Sequence, residues 1–502
     1  MVSTAILPRH SLYSTSTPPR RIRRPLSRRL NSPFRFSAIN NATAIAVAAA
    51  AALTLLTFSS LVLHSVLERE AVLARGGLGD GLRLNPPGSD PGGDFGGVGG
   101  LIDGGETDDD RDHYRKTKKG AKGRKPRLDD GVNLDDMYAR VRAEHDRSFP
   151  PDDADRLIEY AQSLRLNSYD PIAADSMPYD VTDCPDYPPE GYPLSWPVLD
   201  VINNWNPDDA VPRSKIYQGI CRFDATTEYE KAVTYRRAEV PFVIRDDPAV
   251  LPTVERWNRS PEYLSDILGR TSAYRADYSD TNHLMFFRTQ KGDETPEGWQ
   301  EPTSQVKITF PDWLEKARDA DATELPPDRP HWYFRLNAKN QEKDAFLYEE
   351  LPFFKPHPGG SFYMVDPKEA RGINCRFGMR GNTAENHFDS SRNFIALFGG
   401  ERRYILSHPD QCLNLALYPK GHPSSRHSAV DWANPDLGTY PEFANAKVNE
   451  VVMQAGDVLY LPTNWFHHIV SLNTNFQCNA RSGTTRNYHK HIRHCGFNVK
   501  TG

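Results

Sequence analysis

The chain has 502 residues, with 61 Lys plus Arg against 66 Asp plus Glu, a formal charge of −5, and 38% hydrophobic and 11% aromatic residues. Enough apolar matter is present to bury a core, which excludes a wholly disordered chain, and the mixed composition excludes collagen and coiled coil. The charge is uneven: residues 1–67 hold eight arginines and no Asp, Glu or Lys, leaving −13 on the remainder, and that acidic balance argues against general nucleic-acid binding.

Residues 1–41 form a basic N-terminal segment. The stretch 42–63 is 22 residues without a charge, and 42–66 reads as a transmembrane anchor because a helix of that length spans a hydrocarbon core. The arginines precede it, so the remainder is expected in the lumen of the ER or Golgi, as in a single-pass signal-anchor protein. An organelle transit peptide is the alternative, because the start is Arg- and Ser-rich and free of acids. Residues 67–150 read as a disordered stalk, rich in Gly, Pro and Asp and then basic, with nothing from which to build a core. Its glycines follow no strand and no Lys-Ser/Thr follows them, so they make no phosphate loop.

A helical pattern begins near 134–166, where Met137, Val141, Leu157, Ala161 and Leu164 recur at helical spacing. Residues 151–237 are an N-terminal extension of the catalytic region. A short strand is expected at 240–245. The stretch 260–269 has Ser260 as N-cap, a proline at the first position and a closing Gly269, the marks of a helix. From about 361 the texture changes to short strands, at 362–365, 373–379, 393–398, 402–406, 448–453, 458–461 and 466–472, with Gly399-Gly400 and 454–457 as turns. The expected fold is mainly β, a jelly roll (double-stranded β-helix) carrying a helical and irregular N-terminal half.

The chemistry-bearing motif is Asn386-His-Phe-Asp389. Residues two apart on a strand share a face, so His387 and Asp389 can present an imidazole and a carboxylate to one ion. Alone, a His-x-Asp triplet is common. A second source of histidine follows 80 residues later in Trp465-Phe-His-His-Ile469, and two His plus one carboxylate is the ligand set of a non-haem Fe(II) centre with open positions.

Here the sequence resembles the JmjC-type hydroxylases of the cupin-like group, including the asparaginyl hydroxylase that acts on hypoxia-inducible factor. The resemblance covers roughly 238–482. It rests on His387-Phe-Asp389, Asn393 six residues and Arg402 fifteen residues after His387, Leu417-Tyr-Pro419, Gly456-Asp-Val-Leu-Tyr-Leu-Pro462 and Trp465-Phe-His-His-Ile469. It implies Fe(II) held by His387, Asp389 and His467, the first His after the aromatic pair, with 2-oxoglutarate and O₂ on the open positions. It also implies Arg402 on the distal carboxylate of 2-oxoglutarate, Asn393 and Asn479 on cosubstrate oxygens, and Tyr333 as a phenol donor. Two departures stand out. Arg402 replaces the usual Lys, not a neutral exchange, and Ala384 replaces a Thr whose hydrogen bond is then lost or supplied by Thr383.

The implied activity is an Fe(II)/2-oxoglutarate-dependent dioxygenase, a membrane-anchored hydroxylase of a protein or peptide substrate. The alternative is a cupin-like binding module with degraded chemistry. Six cysteines, all beyond the apolar stretch, suit luminal disulfides or reduced thiols equally. Asn258-Arg-Ser260 is a glycosylation sequon of consequence only in a lumen. His489, His491, His494 and Cys495 are of zinc-binding types, but the spacing closes no four-ligand site, and residues 483–502 read as a solvated tail.

Overall fold

Two prolines, Pro150 and Pro151, split the helical pattern expected over 134–166 into helices Leu134–Ser148 and Ala154–Ser163, since proline cannot continue a helix. Asp153 caps the second by accepting from the Arg156 backbone N–H at 2.9 Å. The computed structural model describes residues 134–260, 262–289, 295–338 and 346–499. The basic segment, the anchor at 42–66 and most of the stalk lie outside these residues. Among the described residues no helix is long and apolar enough to cross a membrane. The stalk boundary at 150 needs correction: the helix Leu134–Ser148 is docked, with Tyr138 and Arg142 reaching Glu350 at 3.1 and 2.8 Å.

Seventeen strands follow among the described residues: β1 Asp170–Pro171, β2 Trp196–Pro197, β3 Lys215–Ile216, β4 Arg222–Asp224, β5 Phe242–Arg245, β6 Ala273–Ser279, β7 His283–Leu284, β8 Ser304–Thr309 and β9 His331–Ala338. The later ones are β10 Ala370–Gly378, β11 Thr383–Phe388, β12 Asn393–Gly399, β13 Arg402–Ser407, β14 Lys447–Met453, β15 Val458–Leu461, β16 Phe466–Ser471 and β17 Asn475–Ser482. Eight of them form two four-stranded antiparallel sheets, β15-β12-β17-β10 and β14-β13-β16-β11, the jelly roll expected. The first sheet grows by β5 and β4 at one edge and by β9, β6 and β8 at the other, while β2 and β7 flank the second. The β9, β6 and β8 additions and β17 had no counterpart in the sequence reading.

Other expectations need amending. Residues 362–365 form a turn, closed by the Ser361 N–H on the Met364 carbonyl at 2.8 Å, and Phe362 and Tyr363 pack on Phe394. Ser260 ends the helix Leu251–Arg259 instead of capping the next one, Tyr263–Leu268. The turn at Gly399-Gly400 holds as expected: Gly400 has φ +72, and a Cβ there would collide with the Thr474 carbonyl.

Strand alternation creates two large cores, beside a smaller cluster of Trp205, Ile216, Val452, Val470 and Leu472. One draws on both sheets, with Phe377, Phe398, Tyr404, Leu406 and Leu459 among its members. The other lies on the opposite face of the second sheet, where Ile405, Phe388 and Phe466 meet Val198, Val201, Trp432, Ile492 and Phe497. Each large side chain so buried contributes about 1.5–3 kcal/mol. All six cysteines pair, as Cys184–Cys221, Cys375–Cys478 and Cys412–Cys495. Cys495 is thereby removed as a zinc ligand. The Asn258 amide donates to the Val254 and Phe398 carbonyls, both at 2.6 Å, so a glycan on that nitrogen is incompatible with the packed helix.

The N-terminal half is tied down by Glu350, which is fully buried. Its carboxylate accepts from Tyr138, Arg142, Trp257 Nε1 and Tyr263 at 2.8–3.1 Å, with Arg256 Nε at 3.5 Å. Burial opposes its charge, but Arg256 and Arg142 outweigh that and hold the carboxyl below its usual range. Removing one partner of a buried charge network costs about 3–5 kcal/mol. Glu350→Ala is expected to lose that much stability in urea titration, and a loss below about 1 kcal/mol would show the network to be incidental.

Candidate metal centre

The centre is set by the pairing of β11 with β16. His387 faces His467 across the ladder and Ala384 faces Ile469, so three steps on one strand match two on the other. The extra residue is a β-bulge. It shifts parity: Ala384 and His387 both share the face of His467, whereas Thr383, opposite Val470, shares the face of His468. Thr383 is fully buried, and its hydroxyl donates to the Gly381 carbonyl at 3.2 Å. It therefore does not replace the hydroxyl missing at Ala384.

His387, Asp389 and His467 each offer one ligand atom within 4.8 Å of the others. The two imidazole rings are 4.2 Å apart, and His467 Nε2 lies 4.0 Å from Asp389 Oδ2. Each ring donates Nδ1–H to a backbone carbonyl two residues back, His387 to Glu385 at 2.7 Å and His467 to Trp465 at 3.1 Å. A carbonyl only accepts, so the tautomer is fixed and Nε2 keeps its lone pair for a metal. His468 points the other way, stacked on Trp432 with ring centroids 5.0 Å apart.

Asp389 is buried beside cations. Arg481 Nη2 is 2.6 Å from Oδ2 and Arg426 Nη1 is 3.9 Å from Oδ1. Burial alone would raise its pKa, but Arg481 and the neighbouring imidazoles overcome this and keep the carboxyl well below its usual range. It is an anion ready for a divalent cation.

The other implied residues line the path away from the triad. Asn393 donates to Asp389 at 3.4 Å and accepts from Asn479 at 2.9 Å. Arg402, fully buried, reaches the Tyr333 hydroxyl at 2.9 Å, the Arg376 carbonyl at 2.7 Å, Gln477 and Asn475. All these partners are neutral. Of the other two buried arginines, Arg256 has Glu350 and the equally enclosed Arg403 has Glu450 at 2.6 Å. Arg402 has no carboxylate among the described residues. An unpaired buried guanidinium is costly unless an anion joins it, and a forked donor suits a carboxylate. The residues present thus fit both Fe(II) and a dicarboxylate.

Sequence reasoning missed Gln477 and Arg481. With Asn475 and Asn479 they occupy alternate positions of β17, and their contacts run from Arg402 to Asp389. The period of two was the available signal, once residues 475–482 are read as a strand. Also missed was His427, whose ring lies 5.0 Å from that of His387.

The cupin-like domain family matches residues 228–489. The chain belongs to that family, and JmjC domain proteins are among its relatives. It is 35% identical over 143 residues to the tRNA wybutosine-synthesizing protein 5 of Homo sapiens, covering 28% of this chain and 43% of that protein. It is 35% identical over 107 residues to the lysine-specific demethylase 8 of Danio rerio, covering 21% and 25%. To the Jumonji C domain-containing protein 5 of Drosophila melanogaster it is 32% identical over 130 residues, covering 25% and 32%. The chain spans less than half the length of these relatives.

The two histidines of the cluster impose a pH dependence. Burial first, then the adjacent imidazole, pushes His387 down to about 4 and His467 to about 3 from 6.5. Between about pH 6.5 and pH 4 the unfolded chain binds protons that the native site refuses, so stability of the metal-free protein is lost as pH falls through that window. Urea midpoints are expected to drop between about pH 7 and pH 5, and a flat profile would contradict the neutral, buried assignment.

Proposed function

We propose that the protein is an Fe(II)- and 2-oxoglutarate-dependent dioxygenase that hydroxylates a protein or peptide substrate. In this assignment His387, Asp389 and His467 hold Fe(II). Arg402, with Tyr333 beside it, takes the distal carboxylate of 2-oxoglutarate, and Asn393 and Asn479 hydrogen-bond its other oxygens. The observation that carries the assignment is the fully buried, uncompensated Arg402 at the far end of a polar row that leads to a buried His-Asp-His cluster. Iron and 2-oxoglutarate, when bound, supply oxidative decarboxylation to succinate and CO₂ coupled to hydroxylation of a C–H bond. The chain's own part is positioning: Glu385 and Trp465 carbonyls orient the imidazoles, and Arg481 holds Asp389.

The substrate class is inferred from two opposed considerations. One relative is named for tRNA modification and another for lysine demethylation, so a macromolecular substrate fits the family. The acidic remainder of this chain favours protein over nucleic acid.

We further propose that the domain is luminal, tethered by residues 42–66. The pairing of all six cysteines supports an oxidising compartment. Because Asn258 is committed to packing, a glycan shift at that site carries no topological information. Protease protection of a tagged C-terminus, with mass spectrometry of the three disulfides, tests this placement. Reduced thiols and a protease-accessible cytosolic domain would overturn it.

Succinate release from 2-oxoglutarate is expected to require Fe(II), to be stimulated by a member of a peptide panel and not by tRNA, and to fall to background in His387→Ala. Tight binding of Fe(II) and 2-oxoglutarate with no turnover on either panel would favour the binding-module alternative. Arg402→Met is expected to raise KM for 2-oxoglutarate by about 100-fold, the loss of one buried charge contact worth about 3 kcal/mol, with Fe(II) affinity nearly unchanged. An unaltered KM would remove Arg402 from the cosubstrate site.

A further inference from the structure

Alternation on β11 and β16 places an aromatic pair behind the metal ligands. Phe388 lies between His387 and Asp389 in sequence, Phe466 immediately precedes His467, and the two phenylalanines are cross-strand partners with ring centroids 5.3 Å apart. Their outward face is covered by the C-terminal segment 489–499. Phe497 packs on Phe388 at 5.4 Å, and Ile492, fully buried, joins the same cluster. The helix within this segment, His489–His494, has six residues, too few to be stable without docking.

What holds it is Cys495, bonded to Cys412 in the short helix Pro409–Leu413 of the excursion between β13 and β14. This disulfide is the most approachable of the three. Cys375, Cys478, Cys184 and Cys221 are all 0–2% exposed, whereas Cys495 is only partly buried. A cavity of about 220 Å³ lined by Asp410, Cys412, Lys490, His491 and His494 opens beside it. Of this lining Lys490 brings a positive charge and Asp410 a negative one, and a nearby ammonium stabilises a leaving thiolate and so favours thiol–disulfide exchange.

We propose that the disulfide-clamped segment 489–499 is a positioning element of the metal centre, seating Phe497 against Phe388, and that opening Cys412–Cys495 releases it and weakens metal binding. This rests on the metal assignment made above. The opening step uses a dithiol reductant. Its thiolate attacks the more exposed Cys495 sulfur, the S–S bond breaks and the Cys412 thiolate leaves, taking up a proton. The second thiol of the reductant then resolves the mixed disulfide, so that two protein thiols and one oxidised dithiol result.

The test measures anaerobic Fe(II) affinity of the full chain, alongside trypsin cleavage after Lys490 and Arg493 as a readout of segment release. Phe497→Ala and the double variant Cys412→Ser/Cys495→Ser are expected to bind Fe(II) about 10-fold more weakly, the usual effect of removing support from a ligand shell. Phe497→Leu is expected to restore affinity to within about 3-fold, since it keeps the packing volume approximately. Mild dithiol treatment of folded wild-type protein, with the other two disulfides verified intact, is expected to produce the same weakening and to reverse on reoxidation, which keeps the test open should a variant fail to fold. Release of the segment with unchanged Fe(II) affinity overturns the proposal, as does opening of the disulfide with the segment still protected. A wild-type chain that binds no Fe(II) overturns the metal assignment and this proposal together, whereas wild-type binding that the variants match overturns the clamp alone.

Discussion

The antiparallel pairing of β11 with β16, with one residue too many on β11, is the constraint on which the centre depends. Two imidazoles come opposite each other because their strands are hydrogen-bonded neighbours, and the bulge puts Ala384 beside them while turning Thr383 away. Asp389 then follows at the strand's end, where its backbone carbonyl accepts from the Asn464 N–H at 2.8 Å. A bulge beside a site is a common way to re-aim side chains. Here it decides which of two adjacent residues can face the ligands.

Charge is the second organising theme. The molecule buries several ions, and most are matched: Glu350 by Arg142 and Arg256, Glu450 by Arg403, Asp457 by Arg245 at 2.8 Å. Arg402 is surrounded by hydroxyl, amide and carbonyl oxygens only. Those groups relieve part of the desolvation cost but leave the charge unneutralised. The excess at that one place, at the end of the row Asn475, Gln477, Asn479 and Arg481, is what the proposed binding of a carboxylate rests on.

Much of the jelly roll was legible in the amino-acid sequence because its strands are short, apolar and separated by turn residues, as at 393–398 and 458–461. The triad was legible as spacing, together with a family resemblance that chose His467 over His468; periodicity could not make that choice. What escaped notice had physical reasons. The strand β17 does alternate, Asn475, Gln477, Asn479 and Arg481 against Phe476, Cys478 and Ala480, but two of its three apolar members are the small residues Cys and Ala, so the pattern is weak. Thr383 was a plausible donor only if β11 were regular, and no local pattern signals an extra residue. Ser260 had the right neighbours for an N-cap, yet the preceding helix ran into it and claimed it as a terminus. Asn258 met the sequon rule, while its amide was already committed to two carbonyls 4 and 140 residues away.

The disulfide between Cys375 and Cys478 takes on meaning in this light. Cys478 sits between Gln477 and Asn479, and its partner lies directly opposite on β10. The other face of the strand packs Phe476, Cys478 and Ala480 into the apolar core, and a slip of one residue would bring those three to the site and turn the whole row of polar groups away from it. The covalent link forbids that slip. It serves as a registration pin, adding a bond to the register that the buried apolar face favours.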